Sequence, residues 1–188
     1  VGVGTIVNDI SNVYKSYDDA IKSLKYSYVF PKRMFFLLND IVEREENTMS
    51  YNAKLVKSFD EALNTFKYNE INLQLQRIIN YITNVNISYN ASVELLNECV
   101  SIIGNMMNRM GMSLINLGMS EENIKSRFKK IDNIYEFELW IKDLIKNLIE
   151  FNEKIESEKS KLIVEAAKKY IQNNIKDSQL SLKSVSEE

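Results

Sequence analysis

A single proline, Pro31, and five glycines are all that break up 188 residues. A loop-rich β-sandwich draws on glycine and proline at every turn, so this scarcity argues against that class and predicts long uninterrupted helices. With 45% hydrophobic and 27% charged residues, the chain has enough apolar side chain to bury a core, as one domain or two small ones, and too much to stay disordered.

Hydrophobic periodicity gives the order of elements. Val1 to Ile6 alternate small and β-branched residues as a buried strand does, with Gly4 free to turn the backbone. From Ile10, the positions Ile10, Val13, Tyr14, Tyr17, Ala20, Ile21, Leu24 and Tyr28 recur at steps of three and four, with Asn8 or Asp9 as N-cap. That predicts an amphipathic helix of about five turns. Phe30-Pro31-Lys32-Arg33 ends it, because proline disfavours a helical residue before it, and Met34 to Leu38 reads as a second buried strand. Two strands and one helix cannot cover both faces of a sheet, so residues 1–42 are expected to be the tail of an α/β domain whose earlier strands lie upstream.

Beyond Asn39-Asp40 the pattern is helical. One amphipathic run carries Leu55, Val56, Phe59, Ala62, Leu63 and Phe66, and a second carries Ile71, Leu75, Ile78, Ile79, Ile82 and Val85. A third passes through Leu95, Leu96, Cys99, Ile102, Ile103, Met106 and Met110 and is expected to end by Gly118. Ser120 is placed to cap a short helix with Glu121 and Glu122 in its first turn. The methionines at 106, 107, 110, 112 and 119 read as core filling, with an adaptable docking surface as the alternative.

The longest element is predicted from near Tyr135 to about Ile175. Phe137, Ile141, Leu144, Leu148, Phe151 and Ile155 alternate four- and three-residue steps, the spacing of a coiled-coil seam, which makes them the candidate contact for pairing two copies and for relaying a signal. Glu158 interrupts the seam before it resumes at Leu162 and Ala166. The competing reading is a helix whose first half lies on its own domain and whose second half is a solvated connector. The predicted fold class is therefore mainly α: a helical bundle or linker with a long C-terminal helix, preceded by a small β-α-β remnant.

Several chemistries are excluded or left without support. The chain has no histidine, which removes His-containing metal sites, Ser-His-Asp and Cys-His catalysis and any phosphohistidine within it. Cys99 lacks such a base, cannot form an internal disulfide and suits a reducing compartment; the Asn-x-Ser triplets at Asn86 and Asn90 then carry no meaning. Acidic runs such as Glu43 to Glu46 and Glu156-Ser157-Glu158 read as solvated helix faces rather than acid/base pairs. Gly2 and Gly4 form only G-x-G, short of a nucleotide motif. A net charge of -2 opposes direct DNA binding, which needs clustered Lys and Arg against phosphates. No stretch approaches the roughly 18 consecutive apolar residues of a membrane span, and no signal-peptide pattern opens the chain. The expectation is a cytoplasmic non-enzyme with no membrane contact and no catalytic, cofactor-binding, metal or DNA-binding residue of its own.

Particular residues carry a resemblance. VGVG followed by Ser16-Tyr17-Asp18-Asp19-Ala20 and Leu24-Lys25-Tyr26 resembles the closing strand and helix of a GGDEF-like domain. Ala167-Lys168-Lys169-Tyr170-Ile171-Gln172-Asn173-Asn174 is similar to the "A-x-x-Y-I-x-x-N" helix that opens an AraC-type DNA-binding domain. Leu180-Ser181-Leu182-Lys183-Ser184-Val185-Ser186 is similar to the "L-S-L-x-x-V-A" start of its first helix-turn-helix, with Ser186 where alanine is usual. The chain thus resembles the middle of bacterial transcription regulators that join a receiver or other sensor, a degenerate GGDEF-like domain, a helical linker and an AraC-type pair of helix-turn-helix motifs. The resemblance implies a GGDEF-like remnant at 1–42, a helical linker at 43–160 and the opening of the DNA-binding domain at 161–188. It further implies a response regulator of a two-component phosphorelay. DNA would be bound through the next, C-terminal domain, a sensor kinase would act upstream, and a homodimer would form through the long helix. Neither the GG(D/E)EF signature nor a recognition helix is present. The alternatives are a nucleotide-binding or cyclase-like sensor and a free-standing helical adaptor.

Overall fold

The computed structural model describes residues 1–39, 41, 52–85, 87–112, 124–176 and 180–186. The cap expected at Ser120, with Glu121 and Glu122, and also Met119 and the acidic run at 43–46, lie outside the described residues. The chain forms two compact units, Val1–Leu148 and Ile149–Glu188.

The first unit opens with two short parallel strands, β1 (Gly2–Val3) and β2 (Phe36–Leu37), paired Gly2 to Phe36 and Val3 to Leu37. Between them the predicted five-turn helix divides into a 3-10 turn at Ile10–Asn12, capped by the Asp9 carboxylate through the Ser11 N–H at 2.9 Å, helix α1 (Val13–Leu24), and a second 3-10 turn at Lys25–Ser27. Both strands are shorter than their sequence signals. Helix α1 meets the start of the chain backbone to backbone: a Cβ on Gly2 would strike the Ala20 carbonyl and one on Gly4 the Ser16 carbonyl. The helix backbone lies directly on the glycines at Ser16 and Ala20, with the Leu24 Cβ 3.0 Å from the place a Gly2 Cβ would take. Ser23 is fully buried and its hydroxyl bonds the Ala20 carbonyl at 2.9 Å. The apolar residues Val13, Tyr14, Tyr17 and Ile21 are exposed, the reverse of what amphipathicity alone suggests.

Tyr26, Phe36 and Ile41 form a small buried cluster with Phe30, Leu38 and Tyr89 packed on it. Tyr89 ties this segment to the helices, because its backbone N–H bonds the Tyr26 hydroxyl at 3.0 Å and its ring meets Tyr26 and Tyr28 edge-on.

Four helices carry most of the core: α2 (Asn52–Leu63), α3 (Tyr68–Asn84), α4 (Tyr89–Arg109) and the first half of α6 (Ile134–Asn174), with the short α5 (Ile124–Phe128) against α4. Most of the predicted apolar positions are buried, namely Phe59, Ala62 and Leu63; Ile71, Leu75, Ile78, Ile79 and Ile82; Leu95, Leu96, Cys99 and Ile103. Val100 joins them outside the predicted pattern, whereas Leu55, Val56, Phe66 and Ile102 are only half-buried and Val85 is exposed. Met106, Met107 and Met112 are buried too, as core filling requires, while Met110 is half-buried.

The ends of the helices are set by local chemistry. Ser88 caps α4 by accepting the Ala91 N–H at 3.1 Å. Its C-terminus closes well before Gly118: Gly111 takes a left-handed φ of 65°, with Met112 N–H on the Met107 carbonyl at 2.9 Å and Gly111 N–H on the Asn108 carbonyl at 3.1 Å. That is a Schellman closure, completed by burial of Met107 and Met112. Helix α6 starts at a capping box, in which Asn133 Oδ1 accepts the Tyr135 and Glu136 N–H groups and the Glu136 carboxylate reaches back to the Asp132 N–H and the Asn133 side-chain amide.

In the second unit the remainder of α6 runs to Asn174, and a short helix α7 spans Leu182–Ser186. A mainly helical chain with a small two-stranded sheet near its start and a long C-terminal helix is the predicted fold class. No described helix is long and apolar enough to cross a membrane.

The glycines give a stability test. Gly104 sits inside α4 with nothing within 4 Å of the place an alanine methyl would take, so Gly104→Ala is expected to stabilise by about 0.5–1 kcal/mol. Gly4→Ala, which forces β1 off α1, is expected to destabilise by about 1–3 kcal/mol. Urea denaturation of both variants checks the opposite signs.

Candidate functional site

The seam on α6 is the candidate the sequence singled out, and the structure divides it. Phe137, Ile141, Leu144 and Leu148 are fully buried in the first unit, together with Ile134 and Ile145. These four positions are core of their own chain. Phe151 and Ile155, the other two members, are half-buried and lie beyond Leu148.

Docking of α6 explains the burial. The Gln76 side-chain amide donates to Glu138 Oε1 at 2.6 Å, and the Lys146 ammonium lies 5.7 Å from the centre of the Tyr68 ring. An earlier residue on α3 thus meets a later one on α6, so the two helices run antiparallel. The first turn of α6 is pinned as well, because the Ile134 N–H donates to the Tyr28 carbonyl at 2.9 Å. Phe128 on α5 packs edge-on against Phe137 and is stacked on Trp140, with centroids 5.6 and 6.5 Å away, closing the side of the helix. The Trp140 indole N–H and the Tyr28 hydroxyl are buried without a partner. Burial raises the Tyr28 phenol above its ordinary pKa, with the neighbouring Tyr89 and Glu136 adding to the effect.

Glu138 is the electrostatic centre of this contact. It accepts from Gln76 and, one turn along, from Lys142 at 2.6 Å, with its side chain 20% exposed. Burial works against the carboxylate, but the hydrogen bonds from Lys142 and Gln76 and the Lys142 charge outweigh it and hold the pKa below its usual 4.5. Sequence reasoning missed this group. The Glu-Lys spacing of four was visible, whereas Gln76, 62 residues earlier, becomes its partner only through the fold.

Past Leu148 the apolar character of α6 persists without cover. Leu162 and Ile163 are 65% and 69% exposed, and Val164, Ile171 and Ile175 are also exposed. Leu162 lies four residues after Glu158, where the heptad spacing resumes.

Among the described residues no group of three or more Cys, Asp or Glu is placed to hold a metal ion. Cys99 is buried, and loss of hydration, reinforced by the Glu98 charge, pushes its thiol up to about 12, where the nucleophilic thiolate is scarce at neutral pH.

Two outcomes check the docking contact. A carboxyl with a depressed folded pKa contributes stability that is present above its unfolded pKa and lost as pH falls through the folded one. The melting-temperature gap between wild type and Glu138→Gln is therefore expected to be full at neutral pH and to close below about pH 4.5; a gap that persists unchanged into stronger acid contradicts the charge-based role. Separately, Cys99 is expected to react with a thiol reagent only as the first unit opens, so that labelling kinetics track denaturant unfolding.

No protein-family model matches the chain, and no similar curated protein or solved structure was found.

Proposed function

We propose that this chain is a non-catalytic linker of a bacterial AraC-type transcription regulator, a response regulator of a two-component system, and that it relays a signal to the DNA-binding domain. The observation that carries the proposal is the 41-residue helix α6. Its apolar seam is fixed in the core as far as Leu148, continues through Phe151 and Ile155, and emerges as exposed apolar residues from Leu162 onward. The same helix holds the residues that resemble the opening of an AraC-type domain. A helix anchored at one end and adherent at the other is suited to changing partners, since a modest difference in free energy between two pairings shifts their populations. Glu158, at a seam position, is the point at which pairing is weakest.

In this scheme the pairing contact between two copies lies on Phe151, Ile155 and Leu162 rather than on the Phe137 to Leu148 face. The phosphorelay input arrives from a sensor kinase acting upstream, and DNA is gripped by the helix-turn-helix domain, all in the cytoplasm. The net charge of -2 is consistent with leaving phosphate contacts to that other domain.

Analytical ultracentrifugation tests the pairing. The wild-type chain is expected to dimerise, and Ile155→Glu with Leu162→Glu to yield monomers with unchanged helical circular dichroism. Leu144→Glu is the contrasting variant: a charge at a fully buried position is expected to unfold the first unit. A wild-type chain that stays monomeric at every accessible concentration overturns relay by helix pairing and leaves α6 as a spacer.

A further inference from the structure

We draw no further inference here: the strongest candidate, the exposed apolar face that α1 presents at Val13, Tyr14, Tyr17 and Ile21, is an unpartnered helix surface, and nothing in the structure shows what covers it.

Discussion

Burial of one face of α6 between Ile134 and Leu148 is the contact on which the rest of the first unit depends. Six apolar side chains, Ile134, Phe137, Ile141, Leu144, Ile145 and Leu148, leave water there, each worth about 1.5–3 kcal/mol of transfer free energy. No other described element supplies a comparable run at that place. The long helix is therefore an integral part of the core over its first half, and it brings the Glu138 carboxylate within reach of α3. The Gln76 hydrogen bond to Glu138 then ties the two antiparallel helices together, while Lys142, one turn along α6, holds the carboxylate charged. The Ile134 to Tyr28 hydrogen bond carries the same anchor through to the segment after α1.

The β-α-β segment obeys a different constraint. Its close contact is backbone against backbone, at Gly2 and Gly4 under Ala20 and Ser16, while Val13, Tyr14, Tyr17 and Ile21 are exposed. Parallel strands ordinarily have both faces covered, and here a two-stranded sheet with a largely exposed apolar helix has one side of that arrangement. The tyrosine cluster of Tyr26, Tyr28 and Tyr89 keeps the segment joined to the helical core.

Chemistry and packing agree across the described residues. The one thiol is sealed among apolar residues and shifted away from reactivity, and the partly buried Glu138 carboxylate is engaged in holding two helices together.

Much of this was legible in the sequence because helix periodicity is a local signal. The alternation of three and four residues placed α6 within a residue of its observed start and end, Ile134 and Asn174, and named Phe137, Ile141, Leu144 and Leu148 as one face. Lack of histidine and the isolation of Cys99 were equally plain. Periodicity states that a face is apolar, however, and not what it meets. Only tertiary structure decided that the first four seam residues pack inside their own chain, that Val13, Tyr14, Tyr17 and Ile21 of α1 are exposed, and that Gln76 finds Glu138. Each of those outcomes depends on residues far apart in sequence, where backbone approach and the shape of the neighbouring helix, rather than local preference, determine which contacts can form.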